Sequence, residues 1–166
     1  MEDMGSKMIC VSMRQGPSDE RFMLAAVDEA MAAAKEGNAP VGSVIARNGR
    51  IVERGRNRVF TTCDITAHAE IVAIRKLTKK IGSFDLRHYT LYSTFVPCAM
   101  CVATVLRTDI PIVVYGAEAE DAPHFSSGIH TKVNNSIYAI AKRRVRFRGG
   151  ILRVRCARLL ADAKSD

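Results

Sequence analysis

Apolar positions change period several times along this chain, and each change marks an element. Over residues 18–36, Phe22, Ala25, Ala26, Ala30 and Ala33 recur at helical spacing. Ser18 stands at the N-cap position, Asp19 and Glu20 follow in the first turn, and Gly37-Asn38 stops the run, which predicts a helix over 18–36. The apolar run Val41-Gly-Ser-Val-Ile-Ala, the step Asn48-Gly49 and the pair Ile51-Val52 predict a β-hairpin, because Asn-Gly accepts the positive φ of a tight turn. Helical spacing returns from about 66 to 80, where Ile71, Ile74, Leu77 and Thr78 mark one face and Gly82 ends it. Residues 90–94 read as a short strand, and 98–107 as a helix entered through Pro97. Residues 110–115, bounded by Gly116, read as a buried strand. Beyond it, 117–130 reads as a loop, 131–141 as a short helix, 145–147 as an edge strand and 152–163 as a last helix behind Gly149-Gly150. Strands alternating with helices predict an α/β layered fold with a mixed sheet.

Composition narrows the class. The chain has 166 residues, 48% hydrophobic and 25% charged, so it reads as one folded domain over 18–166 behind a flexible tail, 1–17. A chain of this length buries about 70% of its unfolded surface and needs no disulfide staples. No apolar run reaches the roughly 18–20 residues of a spanning helix, so no membrane partner is expected. The first 17 residues lack a sustained apolar stretch and the cysteine count, five, is odd, which together lead us to expect a reduced, cytoplasmic setting.

The net charge of +8 is unevenly placed. Residues 1–121 hold 15 Lys/Arg and 15 Asp/Glu, whereas 122–166 hold 10 basic and 2 acidic residues. Lys142, Arg143, Arg144, Arg146, Arg148, Arg153, Arg155 and Arg158 form a tract (142–158) that could neutralise RNA phosphates. The competing reading is a solvated face, or an oligomer interface facing carboxylates; no interleaved aromatics suggest base stacking.

Two segments carry chemistry. Thr66-Ala67-His68-Ala69-Glu70 places a His-x-Glu at a helix start, and Pro97-Cys98-Ala99-Met100-Cys101 places a Cys-x-x-Cys at another. Cysteines at i and i+3 share a helix face, so both sulfurs reach one ion, and the helix N-terminus favours the thiolate. His68, Cys98 and Cys101 supply three ligands and leave a fourth tetrahedral position open, the pattern of a catalytic zinc site with one Zn2+ per chain. Glu70 lies beside the ion without having to bind it. Zinc-bound hydroxide with a carboxylate as proton shuttle would release ammonia from an amidine-like ring carbon, and H-x-E…P-C-x-x-C is the pattern of zinc nucleobase deaminases. Taken alone, Cys98 and Cys101 also read as a redox dithiol or as two buried small residues, and His68 as a helix-start histidine. Cys10, Cys63 and Cys156 read as a tail thiol, a loop thiol and a core residue. His88, His124 and His130 read as loop or surface residues, the last two close enough in sequence to reach a pocket.

With these motifs, Pro40-Val-Gly-Ser-Val, Gly55-Arg-Asn57, Asp64-Ile-Thr-Ala-His-Ala-Glu and Leu91-Tyr-Ser-Thr-Phe-Val-Pro-Cys-Ala-Met-Cys, the chain resembles the cytidine deaminase superfamily over about residues 20–160. The branch includes free-base guanine and cytosine deaminases and bacterial tRNA adenosine deaminases. The resemblance implies a three-layer αβα fold, a mixed five-stranded sheet flanked by helices, assembled as a homodimer or higher homo-oligomer. It makes His68, Cys98 and Cys101 the zinc ligands and Glu70 the proton shuttle. It also makes Asn57 and the backbone N–H of Ala69 contacts to the substrate ring, with Val41 and Phe95 lining the base pocket. Read without it, Asn57 is a turn residue and Phe95 core. Two positions depart from the pattern: Ile65 stands where proline is usual, and Val96 where glutamate is usual in the guanine and tRNA enzymes.

The substrate expected on these grounds is a small heterocyclic amine: a free base such as guanine or cytosine, a nucleoside, or a related triazine. Ile81-Gly-Ser-Phe-Asp-Leu and Thr61-Thr62 resemble the free-base branch. The alternative is a tRNA-specific adenosine deaminase, favoured by the basic C-terminal third and by Gly150-Ile-Leu with Cys156 and Leu159-Leu160. Glu118, Glu120 and Asp121, three carboxylates expected near the pocket mouth, weigh against it by repelling phosphate. A noncatalytic zinc-binding interaction domain is a third reading, disfavoured by the intact Glu70.

Overall fold

The computed structural model describes residues 17–125, 129–161 and 163; the expected tail 1–17 lies outside them apart from Pro17, as do residues 126–128 and the side chains of 129–132. Helix α1 (Pro17–Lys35) leads into a hairpin of β1 (Gly42–Arg47) and β2 (Arg50–Arg56), then a four-residue helix α2 (Val59–Thr62) and α3 (Ala69–Ile81). Strand β3 (Thr90–Phe95), helix α4 (Ala99–Arg107) and strand β4 (Ile112–Ala117) follow. Two 3-10 turns lead to α5 (Ile129–Ala141), β5 (Arg146–Arg148) and α6 (Arg153–Leu160).

The five strands form one mixed sheet in the order β2-β1-β3-β4-β5. β1 is antiparallel to β2 and β3, whereas β3, β4 and β5 run parallel. Side chains alternate across the sheet as the two-residue period of a strand requires. Val44, Tyr92 and Val114 face α1 and α6 with Phe22, Met23, Ala26, Cys156 and Leu160. Their neighbours Ile45, Leu91 and Val113 face α3 and α4 with Ala73, Ile74, Leu77 and Val105. This is the expected three-layer αβα arrangement, and α5 packs outside it against α4.

Several boundaries differ from the expectation, each for a local reason. The helix expected from 66 starts at Ala69, because the Asp64 carboxylate accepts both the Thr66 N–H (2.8 Å) and the Thr66 hydroxyl (2.6 Å) and holds a turn there. The strand expected over 110–115 runs Ile112–Ala117: Pro111 has no N–H to give a ladder, and the Ile110 N–H is used on the Val105 carbonyl. The helix expected over 152–163 is Arg153–Leu160, since Leu152 takes a left-handed φ of 54°. Helix α2 was not expected at all; four residues are too few for a period. Within 117–130, read as loop, the 3-10 turns cover Ala119–Asp121 and Pro123–Phe125 and α5 opens at Ile129.

Asp19, in the first turn of α1, is buried. Its carboxylate accepts the Tyr92 hydroxyl (2.7 Å) and two Arg148 N–H groups (2.8 and 3.3 Å), which ties α1 to β3 and β5. None of the described helices is long and apolar enough to cross a membrane.

Candidate active site

His68 and Cys98 are the N-cap residues of α3 and α4, both in extended conformation, and neither side chain caps its own helix among the described residues. Ser, Thr, Asp or Asn is the usual choice at such a position. Here the two side chains turn toward each other instead. His68 Nδ1 stands 3.6 Å from Cys98 Sγ and 3.7 Å from Cys101 Sγ, and the sulfurs are 3.7 Å apart. Tetrahedral zinc with ordinary bond lengths sets donors about 3.8 Å apart for two sulfurs and about 3.6 Å for sulfur and nitrogen. The three residues therefore fit zinc without rearrangement, and among the described residues they are the one such cluster of His, Cys and carboxylate donors.

The electrostatics suit a cation. The hydrogen bond from the Cys101 thiol, aided by His68, pulls the Cys98 thiol down to about 4 against the opposing effect of burial. Cys101, whose proton is held on Cys98 and which is fully buried, is pushed the other way. The shift favours the thiolate at Cys98, which sits at a helix N-terminus.

Glu70, one residue into α3, is buried at 3% exposure and accepts the Ser93 hydroxyl at 3.0 Å. Burial raises its pKa, the nearby His68 opposing and the Cys98 sulfur reinforcing the shift. A carboxyl moved toward neutrality in a cleft is the condition for carrying a proton in both directions.

A small cleft opens over these groups. Every expected substrate-contact residue lines it: Val41, Asn57, Ala69 and Phe95. Cys101 lies beneath, fully buried. Asn57 does two jobs, since its Oδ1 accepts the Val59 N–H at 3.1 Å while its own N–H donates to the Val41 carbonyl. The turn reading describes it, and it also lines the cleft. Ile65, in the position where proline is usual, is exposed and leaves the Asp64 turn intact. Val96 lines the cleft and its N–H donates to the Ala117 carbonyl at 3.0 Å.

Three further residues were not found by sequence reasoning. Ser93 had a signal, being polar and inward-facing in a buried strand. Phe125, whose ring lies 5.8 Å from Phe95, and Asn134, whose Oδ1 accepts the Ala99 N–H at 2.7 Å, come from beyond β4 with no local motif. His124 is exposed and stacks on Phe125 rather than reaching the metal ligands; His88 is exposed, and the side chain of His130 lies outside the described residues. Cys63 is exposed and Cys156 buried, as expected; Cys10 lies outside the described residues.

The charge picture changes more. Arg148 is committed to Asp19, and Arg153 holds Asp121 at 2.8 Å and Glu120 at 3.3 Å. The acidic loop is therefore largely compensated rather than a bare repulsive mouth. Lys142, Arg143, Arg144 and Arg146 are exposed, but they gather at the amino end of β4, where Arg146 pairs with Ile112. The cleft lies at the carboxyl end, where Phe95 pairs with Ala117, about 17 Å along the strand at 3.3 Å per residue.

Comparison with known proteins agrees with the geometry. Residues 17–117 match the family model for the cytidine and deoxycytidylate deaminase zinc-binding region. The chloroplastic tRNA(adenine(34)) deaminase of Arabidopsis thaliana is 42% identical over 99 residues, 60% of this chain, which spans only 8% of that protein's length. The guanine deaminase of Bacillus subtilis is 39% identical over 104 residues, 62% of this chain and 67% of that one. A solved structure from work on A-to-I editing by tRNA:A34 deaminases superposes with a TM-score of 0.71 at 30% identity, over 84% of this chain and 99% of that one.

Proposed function

Since the chain belongs to the cytidine and deoxycytidylate deaminase zinc-binding family, we propose that it is a hydrolytic deaminase releasing ammonia from a small aminated heterocycle, a free base in the first instance. The observation that carries the activity is the convergence of His68, Cys98 and Cys101 at metal-binding distances beside a buried Glu70 in an open cleft. His68 Nδ1 and the two sulfurs would hold zinc, which lowers the pKa of a water from 15.7 to roughly 7. With zinc held there, the Glu70 carboxylate would take up a proton from the attacking water and return it to the departing nitrogen. The ring carbon gains oxygen, the C–N bond breaks, and ammonia leaves with the proton. Ser93 keeps the carboxylate aimed, while Val41, Phe95 and Phe125 exclude bulk water from the ring faces. Asn57 and the Ala69 N–H orient the ring.

The small cleft and the distance of Lys142, Arg143, Arg144 and Arg146 from it support a small substrate. A tRNA adenosine substrate is the second reading, favoured by the near-complete overlap with the tRNA deaminase structure. We take the working form to be a cytoplasmic homodimer or higher homo-oligomer; the exposed apolar Val133 and Ile140 on α5 support an assembly through that helix.

The test is ammonia release by zinc-loaded protein from guanine, cytosine, adenine, aminated triazines, their nucleosides and tRNA. Turnover of at least one free base is expected. Turnover of tRNA adenosine with no free base touched would transfer the assignment to the second reading, and a steep fall of RNA affinity with added salt would accompany it.

A further inference from the structure

We propose that Asn134 reads the substrate ring, its side-chain NH2 donating a hydrogen bond to an acceptor on the edge of the heterocycle held in the cleft. The inference rests on the deaminase reading above and adds a specificity-determining residue to it. Asn134 lines the cleft from α5, the helix outside the three layers. An asparagine amide can ordinarily face either way, with two acceptor lone pairs at one end and two donors at the other. Here the direction is fixed: Oδ1 accepts the Ala99 N–H at 2.7 Å, which leaves the nitrogen as the end available to a ligand. The Tyr138 hydroxyl, one helical turn on, donates to the Pro97 carbonyl at 3.0 Å. Residues four apart share a helix face, so α5 grips the 97–99 segment at two points. Among the described residues, the NH2 has no protein partner.

A fixed donor in a partly desolvated cleft selects by chemistry. It accepts an unprotonated ring nitrogen or a ring carbonyl and turns away a ring N–H at the same edge, because two donors would then face each other with no water between them. Among the other lining residues, Val41, Phe95 and Phe125 are apolar and cannot make that distinction. Helix α5 thereby supplies both the missing cap of α4, which carries Cys101, and a substrate contact.

The two roles separate by substitution. Asn134→Asp keeps the oxygen that accepts the Ala99 N–H and loses the donor; Asn134→Ala loses both. Zinc-loaded wild type and both variants would be assayed for ammonia release from guanine, cytosine and adenosine-containing tRNA, with KM, kcat, zinc per chain and Tm measured for each. On any probe the wild type turns over, Asn134→Asp is expected to raise KM at least about 10-fold with zinc and Tm at wild-type values. Asn134→Ala is expected to raise KM similarly and to lose zinc and Tm besides. Wild-type KM in an active Asn134→Asp enzyme, with loss confined to Asn134→Ala, would make the residue a cap alone and overturn the inference while leaving the deaminase reading intact. A wild type that releases ammonia from none of these probes, nor from adenine, the aminated triazines or the nucleosides, overturns both.

Discussion

Replacing Gly55 by alanine tests whether the position of α3, and not merely its presence, sets the activity. A Cβ built on Gly55 would meet the Ala69 carbonyl oxygen at 2.3 Å and the Ala73 N at 2.6 Å. Both are backbone atoms in the first turns of α3, so no side chain can rotate away. Ordinary contact begins near 3.4 Å, and the strand and helix must separate by about 1 Å. Overpacking of this kind costs about 1–3 kcal/mol, and with backbone on both sides we expect the upper end, a fall in Tm of about 6–12 °C for a domain of this size. The helix that moves carries Ala69 and Glu70 and begins at His68, so a displacement of about 1 Å is expected to lower kcat about 100-fold. Gly42→Ala is the matched control: its Cβ would meet the Ala26 oxygen at 2.1 Å and the Ala30 N at 2.4 Å, both in α1, whose side chains do not line the cleft. Differential scanning fluorimetry with ammonia-release kinetics at a temperature where all three proteins are folded would compare them. The reasoning fails if Gly55→Ala matches wild type, or if both substitutions lower kcat equally, since the loss would then follow stability rather than the placement of α3.

Glu70→Ala is expected to keep one zinc per chain and to lose kcat by about 100–10,000-fold, checked by metal analysis beside turnover; an active, zinc-replete variant would remove its proton-carrying role. Arg148→Met leaves the Asp19 carboxylate buried with the Tyr92 hydroxyl and should cost about 3–5 kcal/mol in urea unfolding, while a loss below about 1 kcal/mol would show that the ion pair contributes little. Burial raises the Cys156 thiol from 9.0 to about 11. The unfolded chain therefore ionises this thiol first, and folded stability should fall as pH rises from 9 to 11, by about 1.4 kcal/mol per unit from this group. Unfolding curves across that range should be less steep in pH for Cys156→Ala, and an equal slope in the two proteins would contradict the assignment.

What was legible in the sequence was local. The hairpin followed from Asn48-Gly49, and the metal ligands followed from spacing within two five-residue motifs, because helix geometry converts i and i+3 directly into proximity. The N-cap role of His68 was not legible, because the helix was expected from about 66 and the Asp64 turn that delays it is a side-chain contact. What escaped depends on long-range packing. Asn134 meets Ala99 across 35 residues and Phe125 meets Phe95 across a change of layer, and no periodicity encodes either meeting. The basic tract shows the same limit from the other side: its charges could be counted, but a count does not reveal that Arg148 is held by Asp19, 129 residues away, or that Arg153 answers Asp121.

The bond between Asp19 and Arg148 also constrains how the protein comes into being. As the chain is synthesised, α1 emerges among the first elements with Phe22, Met23 and Ala26 bare, and the surface that covers them includes Cys156 and Leu160 of α6. About 130 residues of translation, some 7–26 seconds at ribosomal speeds, separate Asp19 from the Arg148 that neutralises it. During that interval the nascent polypeptide is a natural client for chaperones. Substitutions that weaken the closing contacts should show first as poor recovery of soluble material, well before any change in catalysis.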